Sequence, residues 1–196
     1  MKDTVNFDDP STKHLYFGNT EGEPGTLVTF FEWSGAPHGR YGVGGVHHLA
    51  LKTGSYDTLL KWKRYLTDRG IHVSGPMPRG YFTSLYFRAP GGQVLEIANA
   101  GPGYAVDEPM NELGKTLKMP NLSQLPDGRD AALIDATTYP DPVPAITVEM
   151  SLSGIHHITG MTDDINKASD FYHEALGLSL IKQSINQDDP GTAHWF

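Results

Sequence analysis

The chain reads as an α+β protein built from β-α-β-β-β units, and three observations predict this. The dipeptide His-His opens two separate apolar segments, His47-His48 after Gly45-Val46 and His156-His157 after Gly154-Ile155. A third apolar segment, Gly91 to Ala98, encloses one carboxylate, Glu96. The two ends of the chain also repeat one another without a gap. Lys2, Asn6, Asp8, Asp9, Pro10, Thr12 and His14 recur as Lys182, Asn186, Asp188, Asp189, Pro190, Thr192 and His194. So dense a match at one fixed offset marks an internal repeat.

Taken in order, the central unit begins with a strand over Gly45 to Thr53. A helix over Ser55 to Arg69 follows; Leu59, Trp62, Tyr65 and Leu66 form its apolar face and Gly70 ends it. A short strand is expected at Ile71 to Ser74 and a turn at Pro76 to Arg79. Strands over Tyr81 to Arg88 and Gln93 to Asn99 flank the tight Pro90-Gly91-Gly92 turn. The C-terminal segment repeats this opening. It has a strand over Gly154 to Met161, a helix over Ile165 to Leu176 capped by Asp163-Asp164, and strands over Ser179 to Ile185 and Thr192 to Phe196. The N-terminal segment supplies the strands that such a unit still lacks, Thr12 to Phe17 and Gly25 to Trp33. The expected division is therefore 1–38 as the last strands of one unit and 39–100 as a complete unit. Residues 101–149 form a Pro-rich tail and linker, and 150–196 the first half of a further unit. A unit rebuilt from the two chain ends, or by strand exchange in a homodimer, follows from this division. The truncated repeats suggest a fragment or a permuted product of a longer tandem protein.

Composition narrows the partners. The formal charge of −8 argues against nucleic acid, which needs clustered Lys and Arg. No apolar run approaches the roughly 20 residues of a membrane span, and no signal peptide is expected. With 0 Cys there are no disulfides or thiolate ligands, so any metal would be held by nitrogen and oxygen. A cytoplasmic location is the default expectation.

Neighbouring strand residues face opposite sides, so one His of each pair can enter a shared cavity while the other faces away. An unpaired carboxylate among Val94, Leu95, Ile97 and Ala98 would be costly to bury unless a cation compensates it. Two imidazoles and one carboxylate on buried strands suggest a divalent metal site with positions left open. His14, His38, His72, His173 and His194 lack this context and read as structural or exposed.

These motifs resemble the vicinal oxygen chelate superfamily, which includes glyoxalases and extradiol dioxygenases. The likeness is greatest to its hydroquinone-type ring-cleaving dioxygenases. It is carried by Gly154–Thr159, Lys13–Phe31, Arg79–Gly92 and Gly101–Pro109. The resemblance implies paired modules forming a curved mixed sheet around a metal cavity. Carried over by motif, it puts the metal ligands at His48, Glu96 and His157. The surrounding catalytic positions fall at His47, Arg79, Tyr86, His156 and Thr159. It implies Fe(II) or Mn(II) as cofactor, with a small aromatic diol and O2 as substrates. Glyoxalase-type isomerases of this superfamily generally use four protein ligands. Phe30 occupies the place matching Glu96, and Glu32, two residues on, is the available fourth carboxylate. A glyoxalase-like isomerase or lyase and a metal-free binding module of the same fold are thus the alternatives.

Overall fold

The computed structural model describes residues 2–196. A five-stranded mixed sheet carries the architecture, in the order β5 (Ser74–Pro78), β6 (Thr83–Arg88), β7 (Val94–Asn99), β4 (Val46–Thr53), β8 (Ile155–Gly160). β4 runs parallel to β7 and antiparallel to β8, so the two His-His strands are neighbours. Two smaller antiparallel sheets stand beside it. One joins β1 (Lys2–Val5), β2 (Lys13–Phe17) and β3 (Val28–Phe31); the other joins β9 (Gln183–Ile185) and β10 (Ala193–Trp195). This is the mixed α+β fold expected, with few helices.

Helix α1 (Tyr56–Thr67) starts where Ser55 and Thr58 form a reciprocal capping box. Its Leu59, Trp62 and Leu66 pack with Val73, Leu85, Ile97, Val143 and Met150 into the main core, with Tyr65 partly buried at its edge. The Trp62 indole donates to the Met150 carbonyl at 2.8 Å, tying the linker to the helix. Buried Lys63 donates to the carbonyls of Ile134, Asp135 and Thr137 at 2.8–3.0 Å, closing the C-terminal end of α2 (Ala131–Ala136). A cation suits that end of a helix. The rest of residues 101–149 is irregular chain interrupted by five single 3-10 turns.

The strand expected from Ile71 begins only at Ser74, those expected from Gly25 and Tyr81 begin at Val28 and Thr83, and β1 is additional; three larger differences remain. Strand β5 covers the stretch expected as a turn, pairing Met77 with Ser84 and Pro78 with Thr83. It lies at the sheet edge, where a proline's missing N–H removes no ladder bond. The second helix is regular only over α3 (Ile165–Asp170), N-capped by Asp164, and then widens into a looser turn over Phe171–Ala175. The strand expected from Ser179 is regular only from Gln183, where β10 begins to pair with it.

Candidate metal centre

Strand register brings the three predicted ligands together. Ala50 on β4 lies opposite both Glu96 on β7 and His157 on β8. His48, two residues earlier on β4, therefore shares a face with that pair. His48 Nε2 is 3.0 Å from Glu96 Oε2 and 3.0 Å from His157 Nε2, and His157 Nε2 is 3.6 Å from Glu96 Oε2. All three residues offer ligand atoms within 4.8 Å of one another. Glu96 is fully buried and His48 nearly so.

The hydrogen-bonding around these atoms is specific. Ser84 donates to Glu96 Oε1. Glu96 Oε2, although close to His48, receives no hydrogen bond of acceptable direction and is a buried orphan. The Nδ1 atoms of His47 and His48 are 2.8 Å apart, as are those of His156 and His157. With a proton on the inner Nδ1, each pair is satisfied and each inner Nε2 presents a lone pair toward Glu96. A neighbour that fixes the imidazole tautomer in this way is the usual support of a ligating histidine. The outer histidines thus do not simply face away; each reaches around to its partner's ring.

Electrostatics fit the same arrangement. Burial lowers the His157 pKa to about 4, so its imidazole is neutral at pH 7. Burial raises the Glu96 pKa, but the close approach of His48, the Ser84 hydrogen bond and the field of His157 outweigh it and the net shift is downward. The Ser84 hydrogen bond to Oε1 favours the ionised form, while Oε2 is left facing the two imidazoles. Two imidazole nitrogens and one carboxylate oxygen, with contact distances of 3.0–3.6 Å, match adjacent ligands on one ion at bond lengths of about 2.1 Å.

The centre opens into a cavity of about 1730 Å³. Tyr86 stands in it, its ring 5.9 Å from the His48 ring, and Arg79 Nε donates to the Tyr86 hydroxyl at 3.0 Å. Burial is the largest influence on Tyr86 and raises its pKa, so the phenol stays protonated. The Thr159 hydroxyl is 3.1 Å from His48 Nε2. His47 is at the exposed rim of the cavity, and His156 packs behind the site on Phe82, ring centroids 4.8 Å apart. Glu32, by contrast, is exposed and pairs with Lys13 at 3.5 Å.

Comparison with known proteins is decisive for the family. Residues 5–97 and 154–196, well over half of the chain, match the model of the glyoxalase/bleomycin resistance protein/dioxygenase superfamily. The chain belongs to this superfamily. It is 39% identical over 100 residues to "Putative ring-cleaving dioxygenase MhqA" of Bacillus subtilis (strain 168), covering 51% of this chain and 32% of that one. It is 35% identical over 88 residues to the chlorohydroquinone/hydroquinone 1,2-dioxygenase of Sphingobium indicum, covering 44% and 27%. The chain thus spans about a third or less of these relatives. The crystal structure of a "putative dioxygenase" from Bacillus subtilis superposes with a TM-score of 0.61 at 24% identity, covering 98% of this chain and 53% of that one. It shares the fold.

Several neighbours of this glyoxalase-superfamily centre escape sequence reasoning. Ser84 looks like any small strand residue, and only its opposition to Ala98 on the neighbouring strand brings it to Glu96. His194 reads from sequence as structural or exposed, but it lines the cavity, where burial lowers its pKa to about 4. Asp188, accepting from Arg79 at 2.8 Å and from Arg129 at 2.5 Å, completes the wall. The signal that could have found both residues is the duplicated hairpin, whose copies keep the His and the Asp.

Proposed function

We propose that this chain is a metal-dependent ring-cleaving dioxygenase of the extradiol type, acting on a hydroquinone or a catechol-like aromatic diol. His48, Glu96 and His157 hold Fe(II) or Mn(II). The observation that carries the reading is the buried, unbonded Oε2 of Glu96 facing two imidazole nitrogens at 3.0–3.6 Å. No donor among the described residues bonds to that oxygen, whereas a divalent ion would compensate its charge and leave positions open for small ligands. Held there, such an ion would supply open positions for an aromatic diol and O2 and the electronic coupling between them.

The remaining residues have roles that follow from their contacts. Arg79 keeps its charge against the Tyr86 hydroxyl and orients an anionic substrate oxygen. Tyr86, protonated by virtue of its burial, donates a hydrogen bond to that oxygen or delivers a proton to it. His47, at the rim, accepts from His48 Nδ1 and holds that ring in its ligating orientation, and Thr159 limits the space beside His48. His156 holds the His157 ring in its ligating orientation. Residues 39–100 and 150–196 act as the two modules that contribute the ligands. The similarity to named hydroquinone and ring-cleaving dioxygenases supports this substrate class. The surface position of Glu32 leaves the four-ligand, isomerase-type set without its fourth member.

The test is O2 uptake by the purified chain reconstituted with Fe(II) or Mn(II) under anaerobic conditions, then given hydroquinones or catechols in air. Stoichiometric O2 consumption with ring-opened product supports the reading. Turnover of a thiol-adduct substrate without O2 consumption would overturn it in favour of an isomerase.

A further inference from the structure

The N-terminal repeat is duplicated in three dimensions as well as in sequence. Thr4 pairs with His14 and Val5 with Lys13; in the C-terminal copy Ser184 pairs with His194 and Ile185 with Ala193. The loops share their closing bonds. Asn6 N–H donates to the Thr12 carbonyl and Asn186 N–H to the Thr192 carbonyl, both at 2.8 Å. The Thr12 hydroxyl donates to Asp9 and the Thr192 hydroxyl to Asp189. Yet only one copy is docked. The β9–β10 hairpin is held at the cavity wall by fully buried Lys182, paired with Asp107 and Glu108 at 2.8 and 2.5 Å, and by Asp188 on Arg79 and Arg129. The same anchors in the β1–β2 hairpin, Lys2 and Asp8, are exposed, and Phe7 beside them is 84% exposed.

The outer edge of β8 is open in the same way. β8 ends the five-stranded sheet, with no further strand beside it among the described residues. In the complete module, β7 lies parallel to β4, with Val94 beside His48. The corresponding placement in the second module sets Val28 of β3 beside His157. One bond of that parallel ladder is already made: Ile155 N–H donates to the Gly25 carbonyl at 2.8 Å. Beyond it β3 diverges. Phe30 and Phe31 are left 43% and 41% exposed and Ile158 on β8 58% exposed, whereas the matching part of β7 is buried.

We propose that the open edge of β8 and the groove of Asp107, Glu108, Arg79 and Arg129 are the docking surface for residues 2–31 of this same chain. The β1–β2 hairpin displaces the β9–β10 hairpin, Lys2 and Asp8 take the places of Lys182 and Asp188, and β3 continues the ladder begun at Gly25. The chain thus holds two hairpins for one wall of the site. This inference does not depend on the proposed function, and its test reads no activity.

The chain has 0 Cys, so introduced thiols report cleanly. Leu117 bridges Gln183 in the docked hairpin, and Asp3 is the repeat counterpart of Gln183. The full-length double variant Asp3→Cys/Leu117→Cys is oxidised slowly and mapped by peptide mass spectrometry, with Leu117→Cys/Gln183→Cys as the reference for the docked state. Both Asp3 and Leu117 are exposed, so neither substitution threatens the fold. A 3–117 disulfide within a monomer is the expected result. Adding Lys182→Ala, which removes one partner of a buried ion pair, should raise its rate by at least about tenfold. The proposal is overturned if the 117–183 reference forms and the 3–117 link does not, or if that link appears only in covalent dimers. Should the Lys182→Ala chain fail to fold, the first comparison alone decides.

Discussion

Replacing Glu96 with Gln separates the metal reading from ordinary core stability, because the two respond in opposite directions. Gln fits the same volume and keeps a carbonyl oxygen to accept from Ser84, while its neutral amide no longer needs compensation in a fully buried position. The metal-free variant should therefore be at least as stable as the parent. Metal binding should suffer strongly, since loss of even a supporting group around a site costs about 10–100-fold in affinity. At free metal about 100 times Kd, binding stabilises the folded state by about 2.7 kcal/mol. For a chain of this size each kcal/mol shifts Tm by about 2–4 °C, so the parent should gain roughly 5–11 °C on loading. The assay is anaerobic thermal unfolding with and without Fe(II) or Mn(II). The reasoning is refuted if Glu96→Gln keeps the metal-dependent gain, or if the parent shows none at saturating metal.

Other outcomes follow from the same contacts. Ser84→Ala leaves Glu96 Oε1 without its donor and should cost about 1–3 kcal/mol in urea unfolding of the metal-free protein, with weaker metal binding besides. Arg79→Lys loses the fork that spans Tyr86 and Asp188; it should keep the metal-dependent Tm gain but lower kcat on the order of a hundredfold. His157 is held neutral down to about pH 4 by burial, while an unfolded His titrates near 6.5. Stability is therefore complete above pH 6.5 and falls as pH drops from 6.5 toward 4, by roughly 3 kcal/mol for this group, and His194 adds to the loss in the same window. Urea midpoints measured across pH 4–8 check this; a midpoint that rises on acidification would contradict it. Leu59→Ala opens a cavity in the main core and should cost about 2–5 kcal/mol, without changing metal affinity in the protein that remains folded.

Much of this was legible in the sequence because the informative residues violate local expectation. A carboxylate within Val94–Ala98 and two adjacent imidazoles at matching places in two strands cannot be explained by strand burial alone. Strand register then does the rest, since β4 lies between β7 and β8 and brings the three donors to one face. The apolar face of α1 was readable from periodicity, and its end from Gly70; the Ser55 cap became visible only in the structure. What escaped depends on long-range assembly. Ser84 has no sequence signature, and its role exists only through opposition of β6 and β7. The Pro76–Pro78 stretch reads as a turn by composition, but an edge position tolerates proline within a strand. His194 reads as ordinary because its place in the cavity comes from the docking of a whole hairpin, fixed by Lys182 and Asp188 far from His48 and Glu96 in sequence.

The most direct test of the central claim is anomalous diffraction from crystals of the chain grown with Mn(II). The account predicts one strong peak, bonded to His48 Nε2, Glu96 Oε2 and His157 Nε2. Crystals saturated with metal that show no peak there, or those three donor atoms turned away from one another, would contradict it.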